Sequence, residues 1–235
     1  MLNKSIMELN HQPLPYFKHD NPYHDKLKSF ENFVLRDEEG ENYKGQWNQN
    51  AFKRKAPLIL EIGSGYGHFM RDYCSKNPSV NFIGMDYKFK RSFNLAKKLS
   101  ALQKENFFYL RANAARVDCL FDESEIDKVL YFFPDPWPKN KHKKKRLFQE
   151  EFLKKVHKVL KPNGKFFIKT DHSEYAEWMK SILLESNLFK IEMMSFDIRT
   201  DFPDHFLSSF KTKFERIFLQ KGLPIKGFEL TCLKD

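Results

Sequence analysis

"LILEIGSGYGHF", Leu58 to Phe69, joins a short apolar run to a turn that holds Gly63, Gly65 and Gly67. An apolar run bounded by glycine reads as a buried strand that feeds a helix. Similar runs recur at "VNFIGMD" (80–86), "NFFYLRAN" (106–113), "KVLYFF" (128–133) and "GKFFIKT" (164–170). Between them, Phe89, Phe93, Ala96 and Leu99 fall at helical spacing, as do Phe148, Phe152, Val156 and Val159. These stripes predict amphipathic helices whose apolar faces cover a sheet. Strand and helix in alternation build an α/β fold with a doubly wound, mostly parallel sheet, in which ligands bind outside the carboxyl ends of the strands. Two more β-like stretches, "FKIEMMSF" (189–196) and "FERIFLQKG" (214–222), are expected to pair antiparallel at the far edge.

The composition suits one principal domain. At 235 residues and 41% hydrophobic, the chain can bury a proper core. That domain is expected over 56–235, after a polar extension over 1–55 broken by Pro13, Pro15 and Pro22. No apolar run has transmembrane length and no secretory signal is visible, so a soluble, cytoplasmic protein is expected, with no membrane partner. Cys74, Cys119 and Cys232 lie far apart, which suits neither a disulfide framework nor a zinc site. No metal is expected. Monomer and homodimer remain open.

Three of the chain's nine glycines stand in the turn after the first strand. Glycine there lets a ligand approach the backbone without meeting a Cβ. His68 occupies the place of a dinucleotide fingerprint's last glycine, and no P-loop lysine follows. Glu61 adds a carboxylate that repels phosphate and attracts a cation. Asp86, at the end of the second strand, can accept from ribose hydroxyls, and Asn113, after the third, can reach an adenine edge. An adenosyl group with a cationic centre meets all of these demands, which points to S-adenosylmethionine.

A second concentration of chemistry is "FFPDPWPKNKHKKKRLF", residues 132–148. Asp135 would emerge at the carboxyl end of the fourth strand, on the same rim as the glycine turn. Pro134 and Pro136 restrict the backbone around it, and Trp137 offers a flat face for a base. Lys139, Lys141, Lys143, Lys144, Lys145 and Arg146 then supply more than half of the formal net charge of +10. Read singly, a lysine run is solvated surface and a Pro-Asp-Pro-Trp turn closes a loop. Together, an acid, a platform and a phosphate-binding patch are what an enzyme that modifies nucleic acid requires. A non-catalytic RNA-binding protein and an amino-group methyltransferase stand as alternatives.

"FFPDPWPKNKHKKKRL" resembles the signature of the bacterial tRNA (guanine-N7)-methyltransferases, and "LEIGSGYGHF", "TDHSEYAEWM" (170–179) and "TKFE" (212–215) resemble that family's other motifs in order. The resemblance spans about residues 57–222. It implies a Rossmann-like class I methyltransferase that uses S-adenosylmethionine to methylate guanine 46 in the tRNA variable loop. By resemblance, Glu61, Asp86, Asn113 and Asp135 contact the cofactor, with Asp135 also at the catalytic place. Lys139, Asp171, Thr212, Lys213, Phe214 and Glu215 would contact the substrate. Asp86 is shorter than the glutamate common at its position, and Asn113 stands where many relatives carry aspartate.

Overall fold

A computed structural model describes residues 21–102 and 105–234. The apolar runs form strands. Along the chain lie α1 (Pro22–Lys26), β1 (Val34–Arg36), β2 (Leu58–Ile62), α2 (His68–Lys76), β3 (Asn81–Asp86), α3 (Phe89–Leu99), β4 (Phe107–Arg111) and α4 (Val117–Leu120). There follow β5 (Ile126–Phe132), α5 (Glu150–Val159), β6 (Leu160–Thr170), α6 (Ser173–Glu185), β7 (Phe189–Ser195), α7 (Ile198–Asp201), α8 (Lys213–Gln220) and β8 (Lys226–Cys232). The strands join in the order β1-β4-β3-β2-β5-β6-β8-β7. β1 through β6 run parallel, while β8 lies antiparallel between β6 and β7.

Two parts of the sequence reading change. The stretch 214–222 is largely helix α8, and the antiparallel partner of β7 is β8. A capping box explains the helix: Thr212 Oγ1 accepts from the Glu215 N–H at 3.1 Å, and Glu215 Oε2 accepts from the Thr212 N–H at 3.3 Å. Phe214 and Phe218, one turn apart, then stack on one face. The second change concerns residues 21–55, which composition assigns to an extension. β1 pairs with β4 at Val34–Tyr109, and Trp47 is wholly buried, its indole N–H donating to the Leu120 carbonyl at 2.9 Å. Residues 1–20 of that extension lie outside the described residues.

The sheet separates two cores, and strand alternation sorts side chains between them. Leu58, Leu60 and Ile62 of β2 join Val129 and Tyr131 on one face. Ile59 joins Phe82, Leu130, Phe69, Met70 and Leu95 on the other, with α2 and α3. Alternation puts Glu61 on this second face. Gly67 is where the turn closes on α3. Its φ is +64°, and a Cβ there would lie 1.9 Å from Leu95 Cδ1. Gly67→Ala is therefore expected to cost about 1–3 kcal/mol by overpacking and backbone strain, read as a lower urea midpoint.

Candidate active site

Chain order reverses direction across the sheet between β2 and β5, which makes the crevice beyond their carboxyl ends a topological switch point. A cavity of about 970 Å³ lies there, lined among others by Gly63, Asp86, Asn113, Phe133, Asp135 and Trp137. Residues from four separate loops thus meet as their strands end. Asp86 braces the glycine turn, because its Oδ2 accepts from the Gly65 N–H at 3.1 Å and its Oδ1 from the Lys88 N–H at 2.8 Å. Arg91, 3.6 Å away, balances the charge, although burial still raises the carboxyl's pKa. Asn113 Oδ1 accepts from the Ala115 N–H at 3.0 Å, which engages its carbonyl and leaves the amide NH₂ of this cavity-lining residue without a partner among the described residues.

Asp135 is exposed and makes no hydrogen bond or ion pair among the described residues. The loop around it is tightly held. Phe133 and Trp137 both adopt left-handed φ, +52° and +43°, a costly conformation for aromatic residues that the surroundings must enforce. Phe133 donates its N–H to the Lys169 carbonyl at 2.8 Å. Arg146 supplies a second anchor: its Nε donates to the Pro136 carbonyl at 2.8 Å, and its guanidinium lies 5.0 Å from the Tyr175 ring and 5.2 Å from Trp178.

Arg146 is 2% exposed, so it braces this loop from inside and is not presented to RNA, contrary to the sequence expectation. Lys143 pairs with Glu174 at 2.7 Å, and Lys145 lies 5.0 Å from the Trp137 ring, whose edge meets His142. Lys139, Lys141, Lys144 and Lys145 are exposed.

The proposed substrate residues divide. Lys213 and Phe214 are exposed, Thr212 caps α8, and Asp171 is half-buried just beyond β6, where burial raises its carboxyl pKa. Glu215 differs. It is fully buried, with Oε2 2.8 Å from Lys169 Nζ and Oε1 2.8 Å from Arg199 Nε, so neither oxygen is free to read a base. Burial pulls the Lys169 ammonium down to about 8 even beside this carboxylate. Glu215 instead ties α8 to β6, while Phe218 packs 5.7 Å from Phe133 and joins α8 to the Asp135 loop. Sequence reasoning passed over Lys169 and Arg199. The signal for Lys169 was a lysine inside the apolar run "FFIKT"; Arg199 carried none.

Against known proteins, a family described as putative methyltransferase matches residues 55–227. A tRNA (guanine-N(7)-)-methyltransferase of Clostridium tetani is 35% identical over 173 residues, 73% of this chain and 81% of the relative. One from Pediococcus pentosaceus is 34% identical, over 80% of this chain and 87% of the relative. This chain belongs to the tRNA (guanine-N(7)-)-methyltransferase family. Among solved structures, the 16S rRNA methyltransferase KamB has the same fold at TM-score 0.60 and 16% identity, over 81% of this chain and 94% of its own. A SAM-dependent methyltransferase from Aquifex aeolicus follows at TM-score 0.51 and 13% identity, over 90% of each chain.

Membership in this methyltransferase family implies S-adenosylmethionine as cofactor, and the residues beneath the glycine turn fit it. Glu61 Oε2 is buried with no hydrogen-bond partner, which a cationic or hydrogen-bond-donating ligand would relieve. Gly63 lines the cavity with φ +83°, and a Cβ there would meet nothing within 4 Å. The absent side chain leaves room for a ligand. Among the described residues no helix is long and apolar enough to cross a membrane, and no group of three or more His, Cys, Asp or Glu could hold a metal ion.

Burial, reinforced by Asp86, raises the Glu61 pKa from 4.5 to about 8. The folded protein therefore holds a proton between these values that the unfolded chain has released, so stability falls as pH rises through that window. Without cofactor, Glu61→Gln is expected to flatten this loss, seen in urea midpoints at pH 5.5 and pH 8. Parallel pH profiles for the two proteins would mean that Glu61 is ionised throughout.

Proposed function

We propose that this protein methylates N7 of a guanine in tRNA, that of position 46 in the variable loop, with S-adenosylmethionine as methyl donor, acting in the cytoplasm as a monomer or homodimer. The observation that carries the reading is the unpartnered Asp135, held by a strained loop on the same cavity as the glycine turn and flanked by exposed lysines. Bound S-adenosylmethionine supplies an electrophilic methyl on a positively charged sulfur. Glu61, Asp86, Asn113 and the glycines Gly63, Gly65 and Gly67 are the residues proposed to hold it.

N7 of neutral guanine carries a lone pair and no proton, so the site needs no general base. Its residues must orient the purine and stabilise the positive charge that reaches it. Alignment of two bound reactants can contribute roughly 7–11 kcal/mol. Asp135 is proposed to face the purine as the charge develops, because the loop backbone that carries it is already anchored through Phe133 and Pro136 and its carboxylate has no partner to give up. Asp171 is proposed to accept from the guanine N1–H and N2 edge, donors that adenine lacks there. Glu215, with both oxygens engaged, is withdrawn from that role and keeps α8 in position. Lys139, Thr212, Lys213 and Phe214 remain proposed substrate contacts, and Lys141, Lys144 and Lys145 proposed contacts to the tRNA backbone, while Lys143, paired with Glu174, is withdrawn from that set.

Incubation with labelled S-adenosylmethionine and unmodified tRNA, followed by chemical cleavage at 7-methylguanosine, tests the reading. One labelled cleavage site in the variable loop is expected. Label on an exocyclic amino group would identify an amino-group methyltransferase, and no transfer at all would favour a non-catalytic RNA-binding protein.

A further inference from the structure

A second pocket, of about 510 Å³, lies on the outer side of the glycine turn, lined by Tyr66, His68, Asn94, Lys97, Lys98 and Lys213. The turn is the wall between the two spaces: Gly63 lines the first cavity, and Tyr66, three positions on, lines this one. Among the described residues no carboxylate lines it, and Asp72, whose charge reaches His68, is paired with Arg71 at 3.1 Å. None of its three lysines forms an ion pair among the described residues, although the chain elsewhere pairs many of its cations. Lys98 Nζ and Lys213 Nζ approach the same Tyr66 ring, at 5.7 and 5.9 Å from its centroid. Tyr66 is 39% exposed, Lys97 and Lys213 are exposed and Lys98 is partly so, which leaves the ring and its surroundings open to a partner. Burial, then Lys98 and Lys213, lowers the His68 pKa, as expected where like charges gather.

Unneutralised cations from two helices, converging on an exposed aromatic ring with no acid between them, form a site for an anion. The surroundings say which anion. The pocket is open, its lysines project from surface helices, and Lys213 belongs to a segment already proposed to touch the substrate. We propose that this pocket takes a backbone phosphate of the bound tRNA, held by Lys97, Lys98 and Lys213, as a contact separate from the lysine run at 139–145. The glycine turn would then lie between the cofactor on one side and the RNA backbone on the other. This rests on the reading of the protein as a tRNA methyltransferase.

The test is the double variant Lys97→Gln/Lys98→Gln in the full chain, with binding of unmodified tRNA measured over a range of NaCl concentrations. Each phosphate contact contributes roughly 0.7–0.9 to the slope of log K against log salt. The expected result is about tenfold weaker binding and a slope smaller by roughly 0.7–0.9, with S-adenosylmethionine affinity and kcat at saturating tRNA unchanged. Lys180→Gln/Lys190→Gln, an equal loss of charge on α6 and β7, should leave the slope near that of the wild type.

Wild-type affinity and slope in the Lys97/Lys98 variant would overturn the second contact, as would an equal change in the control pair. Loss of S-adenosylmethionine binding in the variant would overturn it too, by showing that the effect runs through the glycine turn. If the wild-type protein neither binds nor methylates tRNA, the functional reading itself fails. If it does both and the Lys97/Lys98 variant binds tRNA with wild-type affinity and slope, the phosphate site alone fails.

Discussion

Asp135→Ala is expected to reduce kcat for tRNA methylation by at least about 10²-fold, the scale on which removal of one preorganised electrostatic group acts, while S-adenosylmethionine binding and the urea midpoint stay close to wild type. The separation follows from its surroundings. Asp135 is exposed and has no hydrogen bond or ion pair among the described residues, so its removal leaves no partner stranded in the fold. What holds the loop is its neighbours, through Phe133 to the Lys169 carbonyl and Arg146 to the Pro136 carbonyl. Stopped assays with saturating cofactor, alongside calorimetric binding of S-adenosylmethionine, would measure both quantities. Wild-type turnover would remove Asp135 from the mechanism, and a large loss of stability would make it structural.

Glu215→Ala should behave in the opposite way. Its carboxylate is fully buried between Lys169, also fully buried, and Arg199, and it completes the cap of α8. Removing one partner from a buried ionic cluster leaves uncompensated charge, at a cost of about 3–5 kcal/mol. For a chain of this size each kcal/mol shifts Tm by about 2–4 °C, so a fall in Tm of roughly 10 °C is expected. Methylation should fall as well, because α8 carries Lys213 and packs through Phe218 against Phe133. A Glu215→Ala protein as stable as wild type that had lost only its preference for guanine would return Glu215 to the base.

These two acids are a lesson in what spacing conveys. Both stand in motifs that the sequence singles out, and nothing in those motifs says that one faces solvent and the other the core. The signal for helix α8 was nonetheless present. "TKFE" is a Thr-x-x-Glu capping box as well as a family motif, and Phe214 and Phe218 are one helical turn apart. A short apolar run is ambiguous between strand and helix, and the cap was the feature that decided. β8 carries a weaker pattern, with Lys226, Gly227 and Glu229 interrupting its apolar residues, so its pairing with β6 and β7 emerges only in the folded sheet.

The family and its doubly wound sheet were determined by sequence alone, because alternating apolar runs, helical stripes and a glycine turn are local features whose physics needs no distant partner. The rim on which Gly63, Asp86, Asn113 and Asp135 meet was also legible, since each closes a strand and parallel strands end on one side. Which charges turn inward was decided only by tertiary structure. Arg146 finds Glu174 across 28 positions, and Lys169 finds Glu215 across 46. Burial of a charge depends on whether a counter-charge arrives in space, and no local pattern encodes that arrival.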